Sequence, residues 1–213
     1  MDSMKEATYK ETLGRYLPAT AIDPVFDFIV SNNVHFKISR KRSSKLGDYR
    51  MPQNGHPYHE ISVNGDLNKY MFLLVTLHEM AHLQTFLLHG KKVRAHGHEW
   101  QEQYRQLLVE YFNQGHFPET TAPLFKKYTR TIPLNHEAGI TLEHKLRQLG
   151  SPESVETDTL LKEIPLGSRF FIKERPSAIF QSVEKLRTRY KCINESDGRY
   201  YSVSGSAAVT ALD

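Results

Sequence analysis

The chain of 213 residues has one cysteine, Cys192. A single thiol cannot close an intramolecular disulfide, and it cannot build a cysteine-based zinc ribbon. Cys192 is therefore expected to be a small buried apolar residue. Long hydrophobic runs are scarce as well. The longest, Met71 to Leu77, falls far short of the roughly 20 residues that a membrane-spanning helix needs. The first residues, MDSMKEATYKE, are polar and mixed in charge, unlike a signal peptide. The sequence has no internal repeat and no low-complexity tract. Charge of one sign does not dominate either: 28 Lys and Arg stand against 24 Asp and Glu, a formal +4. That mild excess suits a polyanionic partner without requiring one. At 39% hydrophobic residues the chain can bury a real core, which excludes wholesale disorder. Together these absences lead us to expect a cytoplasmic protein without membrane association.

What the sequence does have is histidine. There are 11 in all, and five fall between His78 and Trp100, in HEMAHLQTFLLHGKKVRAHGHEW. His78 and His82 are four apart with Glu79 between them. On a helix, positions four apart share a face. Two imidazoles stacked this way can grip one zinc ion, and the intervening glutamate can reach a water bound to it. Asp66 is placed to cap this helix after the Asn64-Gly65 turn, and Gly90 to end it. Met71, Phe72, Leu73, Leu74, Val75 and Leu77 leave no polar face for more than a turn, the pattern of a buried helix. Ionisable groups on such a helix need partners.

A catalytic zinc takes three protein ligands and keeps one position open for water. The HExxHxxGxxH class is excluded, because Thr85 and Leu88 stand where Gly and His are required. A glutamate from the following helix is a second option, with Glu99, Glu102 and Glu110 as candidates. The third option is His96, 14 residues past His82 and at the mouth of a second helix, with Gly97 allowing a sharp approach. The positive end of that helix disfavours protonation of a nearby imidazole. His89, two turns beyond His82, points away from such a site, and His98 lies one step further along than His96. Of these options His96 fits well, and the expected ion is one Zn2+.

Residues 5 to 32 read as two short helices, the second opened by Pro24. Three strand-like runs follow, His35 to Ser39, Gly47 to Met51 and Tyr58 to Val63, which predict a small antiparallel sheet beside the metal helix. The second ligand-bearing helix should span Gly97 to Asn113, carrying Trp100, Tyr104, Leu107, Leu108 and Tyr111 on one face. Residues 119 to 137 read as loop, with Pro123, Pro133 and a basic patch of Lys126, Lys127 and Arg130. A shorter helix is expected over 140 to 149. Residues 150 to 166 read as a linker, and 167 to 213 as a small antiparallel β region with a hairpin turn at Asp197-Gly198. The fold class is α+β. Residues 1 to 149 form the metal-binding domain.

HEMAH at His78 to His82, followed by His96-Gly97-x-Glu99-Trp100, resembles the SprT-like zinc metalloproteases, the family that includes the Spartan-type proteases. GDYR at Gly47 to Arg50 and EISVN at Glu60 to Asn64 are similar to the sheet preceding the family's metal helix. The resemblance covers about residues 20 to 115. It implies a zincin-like core, zinc held by His78, His82 and His96, and cleavage of proteins, including DNA-bound ones. The C-terminal zinc ribbon that family members often carry has no counterpart in a chain with one cysteine.

As a working mechanism, Glu79 is the general base and an extended substrate lies along a sheet edge near Tyr58 to Val63. His98, Tyr58 and Arg50 are candidates for support around the site or for substrate contact. His56, His59, His116, His136 and His144 are expected at the surface. Lys41, Arg42, Lys45, Lys91, Lys92 and Arg94 are the candidate nucleic-acid contacts, against the plainer reading of solvated loops. The alternatives to a SprT-like endopeptidase are a general zinc peptidase with no nucleic-acid role and a non-catalytic zinc- or DNA-binding module. The retained Glu79 argues against the last.

Overall fold

The computed structural model describes residues 3–42, 44–53, 55, 57–132, 137–149, 159–172 and 175–212. His56 and His136 lie outside them. Contacts divide the chain into two compact units, Met1–Pro152 and Glu153–Asp213.

In the first unit, α1 (Ser3–Gly14) and α2 (Ile22–Ser31) precede β1 (Val34–Ser39), β2 (Gly47–Arg50) and β3 (His59–Asn64). Then come α3 (Lys69–His89), α4 (His98–Asn113), α5 (Ala122–Thr131) and α6 (Glu137–Leu149). The architecture is mixed α+β.

The sheet is not the antiparallel one expected. Its order is β1-β3-β2, with β1 parallel and β2 antiparallel to β3. Burial matches the central place of β3. Glu60 through Asn64 are all buried, with Ile61 and Val63 fully so, whereas β1 and β2 are only partly covered. A strand buried on both faces belongs inside a sheet. The connection from β1 to β2 crosses the end of β3 and is fastened there by Asn64. Its side-chain amide donates to the carbonyls of Arg42 and Lys45 at 3.1 and 3.2 Å. Its oxygen accepts from Arg42 Nε at 2.8 Å and from the Ser39 hydroxyl at 3.1 Å.

Helix α3 runs 21 residues and is capped by Asn68, not Asp66. Asn68 Oδ1 accepts from the Met71 amide at 3.0 Å. Its Nδ2 donates to the carbonyls of Leu146 and Arg147, so one side chain serves the start of α3 and the end of α6. Gly90, at φ 70°, ends the helix as expected. By length and composition alone this helix could cross a membrane, but 67% of its most apolar window is buried inside the fold. It packs on β2, β3, α4 and α6. The segment expected as loop over 119 to 137 contains α5. Pro123 stands in its first turn, where a missing amide hydrogen costs nothing, and Phe125 and Tyr128 turn into the core.

The second unit is a six-stranded antiparallel sheet. Its strands are β4 (Thr159–Leu160), β5 (Arg169–Ile172), β6 (Arg175–Lys185), β7 (Arg189–Asn194), β8 (Tyr200–Ser204) and β9 (Ala208–Leu212). They lie in the order β4-β9-β5-β6-β7-β8. Residues 159 to 163, read from sequence as linker, supply β4 and a 3-10 turn whose Leu160 and Leu161 are buried. Leu186 to Thr188 form the turn between β6 and β7. Cys192 is fully buried, and burial pushes its thiol up to about 11.

Candidate metal centre

His78 and His82 project from the same face of α3 because they are one turn apart. His96 reaches them from the segment between α3 and α4. Its own backbone makes the sharp approach, at φ 58°, while Gly97 is extended at φ −68°. Histidine is among the residues that tolerate this left-handed region. Gly97 serves differently: it is the N-cap of α4, and a Cβ there would stand 2.8 Å from the Arg94 carbonyl oxygen. Gln101 Nε2 donates to the His96 carbonyl at 3.0 Å and holds the turn.

The Nε2 atoms of the three imidazoles lie 3.3 Å (His78 to His82), 3.0 Å (His82 to His96) and 3.1 Å (His78 to His96) apart. Three nitrogens bound at about 2.0–2.1 Å to one tetrahedral zinc are about 3.3 Å apart, so this donor set fits a single ion. The protonation states agree. Burial, with the neighbouring imidazoles, brings His78 down to about 2 and His82 to about 4. Burial lowers His96 also. Neutral imidazoles are the form that coordinates. Trp100 packs against all three rings, with centroids 4.7, 5.3 and 4.6 Å from those of His78, His82 and His96. Glu79 is 5% exposed, and burial pushes its carboxyl up to about 8, with a further push from Asp48.

A cleft of about 640 Å³ opens over the trio. It follows α3 from Met71, Leu74 and Val75 past His78, Glu79 and His82 to Thr85 and Phe86. Strand β2 supplies one wall through Gly47, Asp48 and Tyr49. The close approach of β2 to α3 explains Gly47. A Cβ there would overlap the Glu79 carboxylate and stand 2.7 Å from Val75 Cγ1. The substrate edge expected at Tyr58 to Val63 is not free, because β3 has neighbours on both sides. The edge facing the cleft is β2.

The other candidates fall elsewhere. Tyr58 packs edge-on against His35, with centroids 5.0 Å apart. Arg50 bonds Asp48 at 3.0 Å and lies 3.9 Å from Glu60. His98 is exposed on the first turn of α4. None of the three lines the cleft. His89 is exposed at the end of α3, and among the described residues Glu99, Glu102 and Glu110 do not join the metal-competent trio. His116 is not at the surface as expected, whereas His59 is half-exposed. His59 accepts or donates at Nδ1 to the Tyr49 hydroxyl at 2.9 Å, and His116 is buried against Tyr111.

The basic clusters separate by partner. Lys41 lies 3.8 Å from Asp66, and Lys45 pairs with Asp48 at 2.8 Å. Arg42 turns its guanidinium onto β3, donating to Asn64 and to the Ser62 hydroxyl at 3.1 Å. Lys91, Lys92 and Arg94 are exposed, and Lys91 and Arg94 line the cleft mouth. Sequence reasoning gave Tyr49 no role. Its ring lies parallel to that of His82, 6.3 Å away at 2°, and burial raises its hydroxyl pKa.

An α+β fold, a buried helix offering two imidazoles and a carboxylate, and a third imidazole closing on them make a site that could hold one metal ion, as a metalloprotease-type protein would. Residues 19–122, inside the first unit, match the model of the SprT-like family. No curated protein and no solved structure matches the chain.

Proposed function

We propose that the protein is a zinc-dependent endopeptidase of the SprT-like type. The observation that carries this reading is the trio of Nε2 atoms within 3.3 Å of one another, with the buried Glu79 one residue along the same helix. His78, His82 and His96 hold the ion. Bound there, zinc supplies Lewis acidity and a water whose pKa falls to about 7. Glu79 takes a proton from the attacking water at its carboxylate and delivers it to the leaving amine nitrogen. A divalent cation nearby favours the ionised form of Glu79, opposing the effect of burial. The exposed edge of β2 binds an extended peptide as an added strand, leaving its scissile bond over Glu79. Gly47 keeps the wall thin enough for Glu79 to stand there.

DNA-bound proteins are the proposed substrates, with Lys91, Lys92 and Arg94 as the groups for phosphate contact, because all three are exposed and two of them border the cleft. The test pairs metal content by mass spectrometry with cleavage of a DNA-bound protein, with and without DNA. Glu79→Gln should keep one zinc per chain and lose at least about a hundredfold in cleavage rate. Full activity in that variant sinks the assignment. Equal cleavage with and without DNA sinks the nucleic-acid part alone.

A further inference from the structure

The cleft has two ends of opposite character. Past His82 it leads to Lys91 and Arg94. In the other direction it runs along α3 to Val75, Leu74 and Met71, and seven residues of helix from His78 to Met71 span about 10 Å. The walls of that recess are apolar and aromatic. Trp100 and Tyr104, one turn apart on α4, stack at 4.9 Å and 28° and contact His78 with centroids 4.7 and 5.5 Å from its ring. Among the described residues, the charged group that α6 brings to the cleft is Glu143. Its side chain stays about a third open, at 34%. Its ion-pair partner Arg147 is 3.7 Å away, one turn along the helix, and is 48% exposed. A pair this long, between a half-buried carboxylate and an exposed guanidinium, contributes little and is easily exchanged.

An apolar slot that starts beside the proposed metal and has a carboxylate in its wall matches a side chain with a long alkyl stem and a cationic head. Aromatic faces along the way favour the same guest. We infer that the recess formed by Met71, Leu74, Val75, Trp100, Tyr104 and Glu143 is a subsite for a lysine or arginine side chain flanking the scissile bond. Met71, Leu74 and Val75 take the methylenes, and Glu143 takes the ammonium or guanidinium. The inference names a substrate preference and rests on the endopeptidase reading for its meaning, but the recess can be tested without catalysis.

Trp100 is the only tryptophan in the chain, so in metal-free protein indole fluorescence reports on this recess and the three imidazoles beside it. Metal-free protein is titrated at neutral pH with Nα-acetyl-lysine methylamide and with the norleucine analogue, which has the same stem but no charge. The lysine probe should change the emission saturably and bind at least about tenfold tighter than norleucine. Glu143→Gln should bring that ratio to about one. Arg147→Gln, which removes the rival cation, should tighten the lysine probe. Equal binding of the two probes by the native protein, no binding of either, or an unchanged ratio in Glu143→Gln overturns the inference. So does Arg147→Gln without effect, because Glu143 is then only that arginine's helix partner. The second arm uses zinc-loaded protein and a peptide pair differing only in lysine or norleucine beside the cleaved bond. The ratio of kcat/KM should favour lysine and collapse in Glu143→Gln. If the probes discriminate but neither peptide is cut, the endopeptidase reading fails and the subsite stands. If both peptides are cut equally, the reverse holds.

Discussion

His78 and His82 are neutral in the fold because burial disfavours their charged forms. The free side chain titrates near 6.5, so both folded values lie below the unfolded one. Stability from such groups is present above about 6.5 and is lost as pH falls from there toward their folded values of about 4 and about 2. The metal-free protein should therefore lose several degrees of Tm between pH 7 and pH 5 by calorimetry, and His82→Gln should flatten that slope. Glu79 has the opposite sign. Its value is raised to about 8, so its contribution is present below about 4.5 and lost as pH rises through about 8. In the metal-free protein Glu79→Gln should raise Tm by a few degrees at pH 8 and leave it unchanged at pH 4. Gly47→Ala drives a methyl into the Glu79 carboxylate. It should keep zinc and lower peptide cleavage by about a hundredfold, as small misplacements of a catalytic group do; metal content and rate are measured together. The two histidines on α3 were legible because helical spacing puts them on one face, and Glu79 because it falls between them in the motif. Tyr49 and Glu143 were not, because their place at the cleft depends on how β2 and α6 pack, which no local pattern encodes.

Helix ends carry much of the first unit's order. Asn68 caps α3 and donates to two terminal carbonyls of α6. Asn68→Ala removes a cap and leaves those carbonyls without this donor, so it should cost about 1–2 kcal/mol in urea unfolding. A loss no greater than that of a surface Asn would show that the joint is idle. The sequence pointed to Asp66 because acidic residues cap well, but the chain needs two more residues to reach the helix start. Helix α5 was missed because Pro123 was read as a breaker when it stands in a first turn. Sheet order was misjudged for a similar reason. The sequential runs Val34–Ser39 and Gly47–Arg50 look like a hairpin, yet the more deeply buried His59–Asn64 takes the place between them. Alternation locates strands; relative burial decides which one sits inside.

At the scale of the molecule there are two hydrophobic cores. One draws on residues from Leu13 to Leu146 and the other on Leu161 to Val209. The metal trio and its cleft belong wholly to the first. A chain truncated after Pro152 should thus bind one zinc with the affinity of the full protein, within about threefold, by competition with a chelating dye. A loss of tenfold or more would mean that the C-terminal sheet supports the site. The sequence changes from helical to alternating periodicity between the two units, whereas the start of the sheet at Thr159 was hidden by its two-residue strand. One feature of the centre reaches beyond chemistry. His96 holds a left-handed backbone in a segment whose neighbours Lys91, Lys92 and Arg94 are exposed, and it is 14 residues from His82. A protein with a single thiol has no covalent means of pinning that span. An ion gripped from both sides is a reversible crosslink across it, so scarcity of metal would leave a trypsin-sensitive strap hanging open, and the protein's own lifetime would track the zinc supply.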